Sequence, residues 1–324
     1  MNDKETIINK FEKAPLMELS NFRRPENSSS FYVKTFDDKK IRVAIWNKES
    51  VKGTILLQSG RTEFIEKYYE VILEFIERDY CVACMDWRGQ GLSSRNSKNV
   101  RIGHIDSFKI YDKDFIQIID EIYENLCPKP WIGFGHSMGG CLLASYLLGE
   151  RNKLDKTIFC APMISIRANK MSRLIIKLFG ILSLFRKKDL PFQKPIWDEK
   201  IGWLDEPFEG NALTSDKKRF KRSVEMIQEY PDLGVKGISV GWLIEALART
   251  DYLCQLNWQE KFRKPILLLN ATNDKLVNST KNKELISKVD LAIIKDLESE
   301  HEIMMEVDFI RKQAWEAIDA FLKN

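Results

Sequence analysis

Histidine is scarce in this sequence: three of the 324 residues are histidines, and they stand far apart in the chain. Metal sites draw their ligands from clusters of histidine, cysteine and acidic residues, and three isolated histidines build none. The six cysteines do not change this, because Cys81 and Cys84 lie in an apolar run typical of a strand. Such a strand places the two thiols on opposite faces. We therefore predict no metal and no cofactor, and we expect the cysteines to be free thiols.

Long apolar runs and a strong charge excess are also missing. No uninterrupted apolar stretch approaches the ~18 residues of a membrane-spanning helix, and no apolar signal core follows the N-terminal MNDKE. We therefore expect a protein that is not secreted and that works in the cytoplasm. The net charge of +4 is small for a chain of this length, which argues against nucleic acid as a partner.

Strand-like and helix-like segments alternate through most of the chain. After a hairpin-like start, apolar runs typical of buried strands recur between amphipathic helical segments, at residues 54–58, 80–86, 130–132, 156–161, 265–270 and 291–295. This alternation predicts an α/β fold with a mostly parallel sheet and helices on both faces. It stops between residues 164 and 258. We predict a discontinuous core, residues 1–163 and 259–324, interrupted by a largely helical inserted cap, residues 164–258.

The sequence GFGHSMGG, residues 133–140, follows a predicted strand and precedes a predicted helix. Within it, residues 135–139 match G-x-S-x-G, the nucleophile elbow, in which the serine sits on a strained turn above the sheet. Gly135 and Gly139 occupy the positions where strand and helix would crowd a side chain. A chance match is the alternative, but the strand before and the helix after argue against it. We predict that Ser137 is a nucleophile.

The partners of Ser137 should follow the carboxyl ends of other strands, where such sheets carry their catalytic groups. Asp274 follows the strand at 265–270, and His301 follows the last strand. The order serine, aspartate, histidine is the one that accompanies this elbow. Asp296 and Glu298 are rivals by position, and Asp274 could also be a turn residue. The other histidines are less suited, since His136 belongs to the elbow itself and His104 is interpreted as structural.

An oxyanion hole would need two backbone N–H groups near the serine. One is expected from Met138, directly after the nucleophile. The other is expected from the loop SGRTE at residues 59–63, where Gly60 allows a close approach and Arg61 carries the candidate N–H.

The chain resembles the bacterial lysophospholipases and the closely similar monoacylglycerol lipases of the α/β-hydrolase superfamily. The resemblance is carried by residues 59–63 with Tyr68, 86–93, 103–108 and 135–140, and more weakly by 211–216. It implies Ser137, Asp274 and His301 as a triad, Arg61 and Met138 as oxyanion donors, and hydrolysis of one acyl chain from a lysophospholipid or monoacylglycerol. Residues 86–93 are interpreted as a structural brace.

Monoacylglycerol lipases carry His-Gly in the oxyanion loop, whereas this chain has Ser59-Gly60. That difference favours a lysophospholipase over a monoacylglycerol lipase without deciding the head group. Other chemistries of the same fold, such as a general carboxylesterase, peptidase or haloperoxidase, stay open. So does a hydrolase-like binding protein without turnover, although all three triad positions are filled.

Positive charge is concentrated at one end of the predicted cap. Residues 164–194 contain eight Lys or Arg and one acid, Asp189. A basic amphipathic helix is expected around 170–188, with Lys170, Arg173 and Lys177 opposite a wide apolar face. It would either contact an anionic membrane surface, such as the inner face of the cytoplasmic membrane, or pack its apolar face on the core and leave its lysines solvated.

Overall fold

A nine-stranded, mostly parallel sheet organises the molecule. The computed structural model describes residues 3–167, 189, 191 and 207–323. The strands of the sheet are Glu12–Lys13 (β1), Ser28–Lys34 (β2), Lys40–Trp46 (β3), Thr54–Gln58 (β4), Cys81–Met85 (β5), Trp131–His136 (β7), Lys156–Cys160 (β8), Ile266–Ala271 (β10) and Ala292–Leu297 (β11). Their order is β1-β2-β3-β5-β4-β7-β8-β10-β11. The pairs up to β3–β5 are antiparallel, and all later pairs are parallel.

The central strands are buried on both faces, as their apolar sequences require. In β4, Leu56 packs into one core cluster while Ile55 and Leu57 pack into the other. The same alternation separates Cys81 from Cys84 on β5, so the two thiols lie on opposite faces as predicted. The predicted mostly parallel sheet with helical layers is therefore present.

Two of the helical segments between the strands are not regular α-helices throughout. The segment after β4 begins as a 3₁₀ turn, Ile65–Tyr68, and continues as the α-helix Tyr69–Ile76. The segment before β7 is α-helical from Phe108 to Ile118, passes through a π turn, Ile119–Tyr123, and ends at Glu124–Leu126. The other helices of the core are Asp3–Ile8, Met138–Leu147, Trp258–Lys261, Ser279–Ile286 and Asp308–Lys323.

The segment predicted as a cap contributes helices Lys217–Glu229 and Val240–Gln255 and the short strand Gly237–Ile238 (β9). That strand pairs with Ile102–Gly103 (β6), apart from the main sheet. The bounds of the cap stay a prediction, and the basic helix expected around 170–188 lies outside the described residues. No helix in the described part of the chain is long and apolar enough to cross a membrane.

Candidate active site

Three residues predicted from the sequence meet at the carboxyl edge of the sheet. Ser137 follows β7, Asp274 follows β10 and His301 follows β11. The Ser137 hydroxyl lies 2.9 Å from Nε2 of His301, and Nδ1 of His301 lies 2.6 Å from Oδ2 of Asp274. This line of serine, imidazole and carboxylate is the arrangement in which a histidine can take a proton from a serine.

The turn at Ser137 is as sharp as its sequence suggests. Ser137 has φ 49° and ψ −117°, a conformation that L-residues rarely adopt. A Cβ on Gly139 would lie 2.2 Å from the carbonyl oxygen of Gln58, and one on Gly135 would lie 2.7 Å from the Cα of Gly140. Both glycines are therefore required for strand and helix to approach each other around the serine.

The carboxylate of Asp274 is held in its charged form. One of its oxygens accepts the backbone N–H groups of Leu276 and Val277, at 2.8 and 2.9 Å. Burial opposes ionisation, but the hydrogen bond and charge of His301 and the two N–H donors outweigh it and lower the pKa of Asp274. A buried anion in this position orients the imidazole and stabilises its cation.

Neither rival acid contacts the histidine. Asp296 accepts a hydrogen bond from Asn270 at 2.8 Å and pairs with Lys283, on an exposed part of the edge. Glu298 is exposed. His136 does not bond Ser137. Its ring packs against that of His301 with 4.8 Å between centroids.

The loop of residues 59–63 lies beside the serine. A Cβ on Gly60 would come within 3.1 Å of the Ser137 Cβ. Met138 opens the helix that follows the elbow, and a first-turn N–H has no acceptor within its own helix. Met138 thus follows the serine directly in the chain, and the loop that carries Arg61 lies beside the serine in space. Their role as donors stays a prediction.

The side chains of Gln90 and Glu63 hold this loop. Nε2 of Gln90 donates to the carbonyl oxygens of Gly60 and Glu63 at 2.7 and 3.1 Å, and its Oε1 accepts the N–H of Thr62 at 3.1 Å. The Glu63 carboxylate accepts the N–H of Gly60. The block at 86–93 therefore braces the candidate oxyanion loop directly.

Ion pairs also hold that block in place. Asp86 pairs with the buried Arg42 at 2.7 Å. Arg88 pairs with Asp37 at 2.6 Å and with Asp114 at 2.7 Å.

A buried charged cluster joins the loop to the histidine. The ammonium of Lys67 lies 3.0 Å from Glu63 and 2.5 Å from Glu302, the residue after His301. Burial lowers the pKa of the adjoining His136 to about 4, so this imidazole is neutral at physiological pH. Glu63, His136 and Glu302 have the spacing of a cation site, but the Lys67 ammonium binds both carboxylates. The absence of a metal and of a cofactor stays a prediction.

A cavity of about 310 Å³ opens onto Ser137 and His301. Its wall is mainly apolar and draws on both the core and the inserted segment, including Met163, Phe220, Val224, Ile227, Val235 and Trp242. An apolar cavity with a few convergent polar groups is the usual form of a small-molecule site, and here the polar groups are those of the serine, histidine and oxyanion loop.

Residues 49–308 match the Hydrolase_4 family model, described as serine aminopeptidase, S33. The chain belongs to this family of α/β-hydrolases. The chain is similar to a probable lysophospholipase L2 of Haemophilus influenzae, to which it is 27% identical over 290 residues, 87% of each chain. The lysophospholipase L2 of Escherichia coli is 25% identical over 99% of this chain and 95% of its own.

A solved structure shares the fold of this chain. A soluble variant of monoglyceride lipase from Saccharomyces cerevisiae superposes with a TM-score of 0.72 at 17% identity, covering 94% of this chain and 99% of its own. The expected α/β-hydrolase fold is confirmed. The kinship with bacterial lysophospholipases and the class of carboxylic ester hydrolases are confirmed as well. The likeness to a monoglyceride lipase is one of fold.

Proposed function

We propose that this protein is a serine esterase that removes the acyl chain from monoacyl lipids, with lysophospholipids as the favoured substrates. The observation that carries the proposal is the line Ser137–His301–Asp274 opening into an apolar cavity. Such a cavity can bury a hydrocarbon chain while the ester lies at the serine. The lysophospholipase names of the two bacterial relatives support the same substrate class.

The proposed mechanism gives each of these residues one role. Nε2 of His301 takes the proton of Ser137 as the serine oxygen attacks the ester carbonyl, and Asp274 stabilises the imidazolium that forms. The backbone N–H groups of Arg61 and Met138 stabilise the oxyanion of the tetrahedral intermediate. His301 then gives its proton to the departing glycerol oxygen and leaves an acyl-enzyme on Ser137. Water, activated by the same histidine, releases the fatty acid.

A peptidase is the alternative that the family description suggests. An aminopeptidase needs an anionic group to bind the free amino terminus of its substrate. Glu63 and Glu302 do line the cavity, but the ammonium of Lys67 binds both. Both acids that line the cavity among the described residues thus already have a cationic partner, which favours the esterase.

A substrate panel with mass-spectrometric detection tests the proposal. Lysophospholipids, monoacylglycerols, short-chain esters and aminoacyl amides would be compared in one assay, and a fluorophosphonate probe would identify the nucleophile. We expect release of fatty acid from the monoacyl lipids and labelling that disappears in Ser137→Ala. The matched control is Ser145→Ala, on the helix after the elbow, which should retain labelling. Labelling of Ser137→Ala, or turnover of amides alone, would refute the proposal.

Peripheral membrane contact is a second part of the proposal, supported by the basic sequence of residues 164–194. Each exposed cation near an anionic surface contributes about 1 kcal/mol of attraction. Changing Lys170, Arg173 and Lys177 to Glu should weaken binding to phosphatidylglycerol vesicles by more than about tenfold. Hydrolysis of lysophospholipid in those vesicles should slow, with hydrolysis of a soluble short-chain ester much less affected. Equal loss on both substrates would mean that these residues support the fold instead.

A further inference from the structure

Arg61 carries a charge that no acid neutralises in the described part of the chain. Its side chain lines the cavity beside Ser137, and its Nη1 is buried without a hydrogen-bond partner. The buried arginines Arg42, Arg88 and Arg311 each bind two carboxylates. Arg61 differs from these three in having no carboxylate partner in the described part of the chain and no hydrogen-bond partner at Nη1.

The groups around Arg61 leave its guanidinium charged but give its Nη1 no hydrogen-bond partner. The guanidinium carbon lies 5.4 Å from the ring centre of Trp242, a cation–π contact that offsets part of the cost of desolvation. Burial lowers the pKa of Arg61 to about 10, with the neighbouring Tyr111 acting in the other direction. The group is thus a cation at neutral pH. A buried cation with open donors is costly unless an anion pairs with it, and the cavity leaves room for one.

The covalent geometry of Arg61 suits one particular anion. Its backbone N–H is the proposed donor to the ester oxygen, and its side chain leads from there into the cavity. In a 1-acyl lysophospholipid, phosphorus lies as many covalent bonds from the ester carbonyl carbon as the guanidinium carbon lies from the backbone nitrogen of this arginine. A planar guanidinium can also bind two phosphate oxygens at once.

We propose that the guanidinium of Arg61 binds the phosphodiester of the substrate's head group and makes the enzyme prefer lysophospholipids over monoacylglycerols. This inference rests on the proposed function and names the residue that selects the substrate class. One short loop then serves both ends of the glycerol unit: its backbone at the ester and its side chain at the phosphate.

The test is a ratio of specificities. kcat/KM would be measured at monomeric lipid concentrations for lysophosphatidylethanolamine and for a monoacylglycerol with the same acyl chain. In Arg61→Met the ratio should fall by more than about tenfold, mainly through KM, and in Arg61→Lys it should fall less, since a point charge remains. A decrease in kcat/KM that is the same for both substrates would reflect a disturbance of the loop of residues 59–63. A ratio that stays at the wild-type value in Arg61→Met would overturn the proposal.

Arg95→Met is the matched control. The Arg95 guanidinium donates to the carbonyl oxygens of Ser93, Val100 and Asp232, at 3.0, 3.1 and 2.6 Å, and does not line the cavity. Its removal takes away one partly buried cation that lies outside the cavity wall. The ratio of specificities should keep its wild-type value, and an equal drop in Arg95→Met would assign the effect to general charge, against the proposal.

A binding readout separates this inference from the proposed function. Glycerophosphoethanolamine, the deacylated product, should slow fluorophosphonate labelling of Ser137 in the wild type and slow it much less in Arg61→Met. Inorganic phosphate tests a free anion as the ligand, and equal protection by phosphate would contradict head-group recognition. If neither lipid is hydrolysed, the proposed function fails while protection still tests the Arg61 site. Absence of protection by the glycerophosphodiester would overturn the inference.

Discussion

Replacement of Lys67 by methionine should destabilise the fold more than any exposed lysine can. Its ammonium lies between Glu63 and Glu302, and none of the three side chains is more than 9% exposed. Burial disfavours the ammonium, but the charges of Glu302 and Glu63 outweigh it and raise the pKa of Lys67. Methionine fills a similar volume without the charge. The variant therefore buries two carboxylates that have lost their shared cation.

The magnitude follows from breaking a buried pair by removing one partner, which costs about 3–5 kcal/mol. With an unfolding entropy of ~2.1 cal/mol/K per residue over a chain of this length, that loss lowers Tm by about 4–7 °C. Urea unfolding followed by circular dichroism measures the free energy, and a thermal scan measures Tm. Lys283→Met is the control, because Lys283 and its partner Asp296 are exposed and such a pair contributes about 0–1 kcal/mol.

The way the stability loss of Lys67→Met changes with pH is a second, independent test. Burial already raises the pKa of Glu302 above its ordinary value, and loss of the Lys67 cation raises it further. A carboxyl whose pKa is higher in the folded than in the unfolded state loses stability as pH rises. The deficit of Lys67→Met should therefore be smaller at about pH 5 than at about pH 8. Lys67→Met with Glu302→Gln restores the net charge of the cluster and should recover much of the loss.

A loss below about 1 kcal/mol in Lys67→Met, equal to that of Lys283→Met, would refute this reasoning. So would a deficit that grows as pH falls, because it would mean that the carboxylates are not the groups left unpaired.

Three shorter predictions concern the site. Gly139→Ala should lower the unfolding free energy by at least about 3 kcal/mol and remove probe labelling, since its Cβ would meet the Gln58 carbonyl at 2.2 Å. Gln90→Leu should lower kcat for every ester by about tenfold or more with little change in KM, since the side chain holds the loop of Gly60 in place. In Asp274→Asn, the free energy of unfolding, measured with urea at several pH values, should fall less steeply at acid pH than in the wild type. The lowered pKa of Asp274 provides stability that is present above its ordinary value of 3.8 and is lost as pH falls below it.

Each of these has a contradicting outcome. Gly149→Ala is the control for Gly139→Ala, because its Cβ would meet no atom nearer than 3.4 Å, and equal losses in the two would refute the steric argument. A KM effect without a kcat effect in Gln90→Leu would assign that residue to substrate binding. If the unfolding free energy of Asp274→Asn falls with pH as steeply as that of the wild type, the carboxylate is not stabilised in the folded state.

The line Ser137–His301–Asp274 could be predicted from the sequence because its geometry is a property of the sheet. Parallel strands deliver their following loops to one edge, so finding the residue after each strand was enough. The same rule left Asp296 as a rival to Asp274. The structure decides between them, because the Asp296 carboxylate binds Asn270 and Lys283 and not the histidine.

The supporting interactions could not be predicted in the same way. Lys67 and Glu302 are 235 positions apart, and no spacing rule relates two side chains that meet only after the sheet has formed. Gln90 lies in a block whose glycines indicate a tight loop, but nothing in that block indicates which backbone groups its amide will reach. The π turn Ile119–Tyr123 likewise interrupts a segment whose apolar spacing is that of a continuous helix.

The Lys67 cluster and Arg61 should affect catalysis in distinguishable ways, because they act on different parts of the reaction. Lys67 binds Glu63, which holds Gly60 of the oxyanion loop, and Glu302, which adjoins His301. Its loss should disturb the donors and the base together, and thus lower kcat for lysophospholipid and monoacylglycerol by the same factor. Arg61→Met should instead change the ratio between those substrates. Steady-state kinetics on the matched lipid pair measures both effects. If Lys67→Met alters the ratio as strongly as Arg61→Met does, charge anywhere in the pocket would explain the selectivity, and the assignment of head-group recognition to Arg61 would be wrong.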